Sequence, residues 1–141
     1  MIHQPAIFPY IVRQPGLGPA GMAPMLPILL SANGCQVKAQ GLVDSGAAVN
    51  LISHSTGIQL GFDWSQQTIA LPLTGTLASV SARLVVLDLT VPGFVPVQMG
   101  FAWANTDSVP LLLGQMTFLH EFDVCFFRRR GLFQIELAHG P

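Results

Sequence analysis

The chain has 141 residues, of which 50% are hydrophobic and only 9% charged, and its formal net charge is −1. That length fits one domain, and with no basic stripe the composition argues against nucleic acid as a partner. Charged residues fall far below the roughly 25% of an ordinary domain, so much of the surface is uncharged or apolar, and a partner, first of all a second copy of the chain, is expected to cover part of it.

Met1-Ile2-His3-Gln4-Pro5 lacks a basic segment followed by a continuous apolar one, so no secretory leader is read there. Residues 14–37 carry no charge, but Pro15, Pro19, Pro24 and Pro27 bar a membrane helix. The expectation is a cytoplasmic protein without membrane contact. Residues 1–26 are rich in Pro and Gly and read as an arm ahead of a domain over residues 27–141. Ile7 to Val12 reads as a short edge strand, because Pro9 bars a central one. Gly16-Leu17-Gly18-Pro19-Ala20-Gly21 is formally G-x-G-x-x-G. A dinucleotide loop of that pattern must open a helix, and Pro24 and Pro27 follow instead, so an extended, wrapping arm is expected.

Pro27 to Ser31 is a short apolar run, and Asn33-Gly34 is a hairpin turn signal. Gln36 to Val43 then forms a strand that delivers Asp44 to the tip of a buried turn. Ser53 to Gly61 reads as a helical turn or loop. Thr68 to Leu73 reads as a strand, Thr74-Gly75-Thr76 as a turn, and Ser79 to Val91 as a long strand. In the latter Val85, Leu87, Leu89 and Val91 share one face, with Asp88 and Thr90 on the other. After the Pro92-Gly93 turn, Val95 to Ala104 is a strand, and Val109 to Leu113 is another that ends at Gly114. Gln115 to Phe122 is the one helix expected. Val124–Phe127 and Leu132–Leu137 form a closing hairpin, with Arg128-Arg129-Arg130 as its solvated turn. Many short strands and one short helix predict an all-β barrel or sandwich.

Cys35 and Cys125 lack metal-ligand spacing and read as buried free thiols in preference to a disulfide, which their spacing leaves open. His3, His54, His120 and His139 show no H-E-x-x-H spacing and no Cys companions, and each reads as a surface or turn residue. Val43 stands where a G-x-S-x-G motif around Ser45 needs its first glycine. No P-loop is present, and neither a metal nor a cofactor is expected. What remains is Asp44, a carboxylate between two apolar runs. An Asp there either bonds its own turn or does chemistry.

Leu42-Val43-Asp44-Ser45-Gly46-Ala47 resembles the catalytic turn of the retropepsin-like aspartic proteases, whose pattern is two apolar residues, then Asp, Thr or Ser, Gly and Ala. That family's second signature is an apolar pair and a Gly, followed by a short helix and a final strand. Leu112-Leu113-Gly114 and the segments after it match. Between the two signatures the family carries a β-hairpin flap, and Leu73-Thr74-Gly75-Thr76 stands in its place. The resemblance spans about residues 27–138.

It implies an all-β closed barrel that supplies half of a pepsin-type site. It also implies an aspartic endopeptidase active as a homodimer on a polypeptide substrate, with water activated between two Asp44 carboxylates. The remaining acids, Asp63, Asp88, Asp107, Glu121, Asp123 and Glu136, offer no second copy of the motif. The resemblance gives Ser45 a hydroxyl bond across the two-fold axis, Gly46 an N–H for the carboxylate, and Ala47 a place in the floor. It makes Thr74, Gly75 and Thr76 the flap tip, and Ile7–Val12 and Phe133–Leu137 the candidate interface strands. Many retroviral members carry an Arg after the second Gly and an acid after the first motif. Here Gln115 and Ala48-Val49 stand at those positions, so both partners of that ion pair are absent together and no charge is orphaned. The walls expected for the cleft, Ala48–Leu51, Thr74–Ala78 and Val109–Leu111, are small or apolar and suit apolar side chains beside the cut bond. The alternative reading is a catalytically inactive dimerisation or peptide-binding module on the same fold.

Overall fold

The computed structural model describes residues 5–139. His3 and the rest of the start read for a leader, Met1 to Gln4, lie outside the described residues. The strands in chain order are β1 (Ala6–Pro9), β2 (Ile11–Val12), β3 (Met22–Ala23), β4 (Met25–Ala32), β5 (Cys35–Val43) and β6 (Leu51–Ile52). Helix α1 (His54–Gln59) follows, then β7 (Ala82–Thr90), β8 (Val97–Ala104), β9 (Leu112–Leu113), helix α2 (Phe118–Glu121), β10 (Phe122–Phe127) and β11 (Leu132–Leu137). Six strands close a barrel in the order β4-β5-β9-β6-β8-β7. Beside it lie a three-stranded sheet, β1-β11-β10, and the small β2-β3 pair.

The period-two pattern builds the barrel. On β4 the residues Leu26, Ile28 and Leu30 are buried at alternate positions. Asn33 and Gly34 both take left-handed backbone, at φ 52° and 74°, the pair that a two-residue hairpin turn requires. That turn sets the register Ala32 to Cys35 and carries it along to Met25 against Leu42. On β7, Val85, Leu87 and Leu89 face inward while Asp88 is exposed, as the alternation predicts. Trp103, Phe101, Phe118, Phe122 and Phe133 are fully buried, and the rings of Phe118 and Phe122 stack with centroids 4.8 Å apart.

Several elements are shorter than their apolar runs. The strand expected over Thr68–Leu73 is reduced to an isolated bridge between Ala70 and Arg83; Pro72 has no N–H to extend the ladder. The strand expected over Val109–Leu113 is only Leu112–Leu113, with Pro110 ahead of it. The helix expected over Gln115–Phe122 begins only at Phe118, because the N–H groups of Gln115 and Met116 donate instead to the carbonyls of Ala47 and Ala48, at 2.9 and 2.8 Å. Ser53–Gly61 contains a helix, so there are two short α-helices and not one. Ile7–Val12 is split at Tyr10 into β1, which pairs with β11, and β2, which pairs with β3. The region around the G-x-G-x-x-G pattern is no simple extended arm, since β2 and β3 are joined across a single 3-10 turn at Gly18–Gly21.

Three side chains also depart from expectation. Cys35 and Cys125 are free, but Cys125 is exposed and Cys35 half-buried. Arg128 is no mere solvated turn residue: it donates to the carbonyls of Met22 and Pro19, at 3.0 and 2.7 Å, and lies over the Tyr10 ring. His54 is no surface residue either. Its ring stacks on Trp103 at 5.4 Å and meets the edge of Trp64, and its Nδ1 is buried without a partner. The backbone N–H and hydroxyl of nearby Ser55 hold the Asp107 carboxyl below its usual range. Among the described residues no helix is long and apolar enough to cross a membrane.

Trp103 ties α1 to the barrel, since its indole N–H donates to the carbonyl of His54 at 3.0 Å and its ring is fully buried. Replacing it with Ala is expected to cost about 3–5 kcal/mol of stability, as read by denaturant unfolding.

Candidate functional site

Asp44 lies one residue past β5, where two chain segments run in parallel. Leu42 pairs with Leu112 and Val43 with Leu113. The ladder continues past the strands: Leu42 N–H donates to Leu111 O at 2.9 Å, and Asp44 N–H to Leu113 O at 3.0 Å. The backbone of Asp44 is therefore anchored on β9, and its side chain lies beyond the barrel wall.

The turn is closed locally. Ala47 N–H donates to Asp44 O at 3.1 Å, and Gly46 N–H to the Asp44 carboxylate at 2.8 Å. Asp44 itself is half-buried and Ser45 and Gly46 are exposed, so the turn is more open than its apolar flanks predict. It faces a cleft instead of the core. The Ser45 carbonyl accepts the side-chain N–H of Gln115. A neutral amide thus bridges the two signatures where the retroviral pattern has a charged group.

Asn50, expected in the cleft wall over Ala48–Leu51, does not line the cleft. It is fully buried and polar. Its Oδ1 accepts the N–H of Gly114 at 2.9 Å and that of Phe118 at 3.4 Å. Its Nδ2 reaches Met99 Sδ at 3.1 Å and Gly100 O at 3.4 Å. Its own N–H donates to the Thr117 hydroxyl at 3.0 Å. One side chain thereby joins the loop after Asp44 to the second signature and to β8. The signal was present as a lone amide between Val49 and Leu51 in an apolar run. Gly114 is locked in the same knot, since a Cβ there would lie 2.6 Å from the Val49 carbonyl oxygen and 2.8 Å from that of Ala47.

The cleft above this floor has a volume of about 690 Å³. Asp44, Gly46 and Ala47 line one side of it, Thr74, Gly75 and Thr76 another. The structure thus brings the predicted turn and the predicted flap tip to one space. The segment expected to form a hairpin flap is not a regular hairpin: Gly75–Leu77 is a single 3-10 turn, entered through Gly75 at φ 64°. Its base rests on a second apolar cluster, in which Leu71, Leu73, Leu77 and Val80 pack on Leu51, Ala82, Ala102, Ala104, Val109 and Leu112. Of the second signature, Leu112 lines the cleft, Leu113 is fully buried in the main core, and Gly114 serves as backbone below. Ser45 does not line the cleft of the single chain. Most of the expected wall is there, including Ala48, Val49 and Pro110. Arg13, Pro72 and Met116 also line the cleft and were not foreseen. Among the described residues Asp44 is the single carboxylate lining it.

No family model and no curated protein matches this chain. Solved structures do. A retropepsin-like aspartic protease from Rickettsia conorii aligns over 97% of this chain and 96% of its own, with a TM-score of 0.60 and 19% identity. EIAV protease, in complex with the inhibitor HBY-793, aligns over 73% of this chain and 88% of its own, with a TM-score of 0.50 and 16% identity. The fold is retropepsin-like.

Asn50→Ala removes the acceptor of two buried N–H groups. Each buried donor left unsatisfied costs about 1–3 kcal/mol, so the variant is expected to lose more than about 2 kcal/mol in denaturant unfolding. Asn50→Asp is expected to do better than Asn50→Ala, because it keeps the acceptor.

Proposed function

We propose that this chain is an aspartic endopeptidase that works as a homodimer, with a catalytic dyad of Asp44 and Asp44 of a second copy. The observation that carries this reading is the Asp44 carboxylate, which accepts the Gly46 N–H at 2.8 Å and lines one cleft together with Thr74, Gly75 and Thr76. The retropepsin-like fold agrees with it, since both similar structures are proteases.

The chemistry requires two carboxylates where one chain supplies one. Two like charges about 3 Å apart, the general arrangement in aspartic proteases, cannot both ionise, so the pair shares a proton. The ionised carboxylate takes a proton from a water molecule as its oxygen attacks the scissile carbonyl carbon. The protonated carboxylate donates its proton to the carbonyl oxygen, and a neutral tetrahedral diol forms. The C–N bond then breaks as a proton passes to the leaving nitrogen, which yields a carboxylic acid and an amine. Apparent pKa values belong to the dyad and not to either copy.

In this reading Gly46 orients the carboxylate. Ala47 forms floor, and the Ser45 hydroxyl, free in the single chain, bonds across the two-fold axis. Thr74, Gly75 and Thr76 close over the substrate and exclude water. Leu112, Leu113 and Gly114 hold the floor from below.

Incubation with casein or a peptide library between about pH 4 and 7, a range set by a dyad that shares one proton, is expected to give cleavage. An aspartic protease inhibitor should block it, and Asp44→Asn should lower it by at least about 10²-fold, the scale of general acid–base catalysis. Wild type and Asp44→Asn that behave alike would overturn the reading in favour of an inactive peptide-binding module. Ser45→Ala is expected to weaken dimerisation in sedimentation more than it lowers the unfolding midpoint.

A further inference from the structure

Arg13 lines the cleft that holds Asp44, and no other Lys or Arg does. The rest of the lining is neutral, apart from Asp44 itself. Arg13 has no ion-pair partner, since the one pair among the described residues joins His139 and Glu136. Its side chain also makes no hydrogen bond among the described residues, in contrast to Arg83, which donates to Trp64 O, and Arg128, which donates to Pro19 O. A cation at the wall of a largely apolar cleft, with no structural partner, has its donors free for a ligand.

Its position is built. The N–H groups of Arg13 and Gln14 both donate to Gly21 O, at 2.8 and 3.1 Å. The flanking strands pair Ile11 with Ala23 and Val12 with Met22. Tyr10, just ahead, is buried, bonds Gly131 O through its N–H at 2.8 Å and meets Phe133 edge-on. Arg128 reaches across to Met22 O and Pro19 O and caps the Tyr10 ring at 5.3 Å. Gly21 admits no side chain, because a Cβ would lie 2.1 Å from Gln14 O. The glycine-rich pattern that cannot hold a dinucleotide is thus a tight strand connection, and it sets the exposed Arg13 among the residues that line the cleft.

We propose that Arg13 is a specificity-determining residue: its guanidinium takes a carboxylate of the polypeptide substrate, so acidic peptides are preferred at one position near the cut bond. This rests on the endopeptidase reading of the same cleft. A guanidinium matches a carboxylate with two parallel N–H bonds. The sign of the site also demands it. A dyad with one shared proton carries one negative charge and repels an acidic substrate, and a cation at the wall reverses that discrimination. The carboxylate is a Glu or Asp side chain or the free end of the peptide.

The test uses the full chain as wild type, Arg13→Ala, Arg13→Lys and Arg13→Glu. Peptides with blocked ends carry Glu or Gln at one position scanned along an apolar sequence, and a second set has a free C-terminal carboxylate. The readout is the ratio of kcat/KM for each matched pair, in which losses common to both peptides cancel. At one position the wild type is expected to prefer Glu by about 10-fold, the scale of a charge-assisted hydrogen bond. The ratio should fall to near one in Arg13→Ala, recover in part in Arg13→Lys and invert in Arg13→Glu. A gain confined to the free-ended set assigns the terminal carboxylate as the group that Arg13 takes. Equal ratios in wild type and Arg13→Ala at every position overturn the inference alone. So does an unchanged ratio accompanied by weaker dimerisation in sedimentation, which would make Arg13 an interface residue. No cleavage of any peptide, neutral ones included, overturns the endopeptidase reading and this inference with it.

Discussion

The Asn50 side chain accepts the N–H of Gly114 across 64 positions of sequence and that of Phe118 across 68, in a fully buried setting. Around it lie the contacts that shape the candidate site. The Gln115 and Met116 N–H groups bond Ala47 and Ala48, Asp44 N–H bonds Leu113, and Gln115 bridges to Ser45. Every one of these joins the loop after β5 to β9 or the segment that follows it. These bonds fix the backbone that carries the Asp44 carboxylate. Buried polar networks of this kind are costly when half-satisfied and specify one arrangement when complete. The Asn50 amide is uncharged, so the crossing carries no desolvation penalty of buried charges.

The sequence was most legible where structure is local. Asn33-Gly34 set the hairpin and its register, the alternation along β7 set its inward face, and the apolar runs around Asp44 marked the turn. It was least legible where a distant partner decides. Gln115 to Thr117 have residues that suit a helix, yet the first N–H groups are taken by carbonyls near residue 47, which no local pattern announces. Pro72 and Pro110 shorten two strands that apolar content alone would extend. Thr74–Thr76 lines the same cleft as Asp44, but a 3-10 turn stands where a hairpin tip was expected. Arg13 stands far from Asp44 in sequence and reaches the cleft only because Arg128 and β11 fold the first residues back.

The two halves of the molecule have separate duties in this account. The barrel and the Asn50 crossing make a stable floor that presents one carboxylate. The more exposed parts, the Thr74–Thr76 segment and the 10–23 connection, decide what lies over it. In the β1-β11-β10 sheet Ile7 and Phe126 are 53% and 43% exposed in the single chain, on opposite faces, since Ile7 is level with Gln134 and Phe126 with Phe133.

The central claim is that the site is shared between two copies, and subunit mixing tests it most directly. Wild type and Asp44→Asn, at equal amounts and fixed total protein, are allowed to exchange subunits before proteolysis is measured. Random pairing leaves wild-type homodimers as roughly one quarter of the dimers. Shared catalysis therefore predicts roughly one quarter of the wild-type rate and a dependence on the square of the wild-type fraction. A rate of roughly one half, linear in that fraction, would mean that each chain cuts alone and would contradict the dyad.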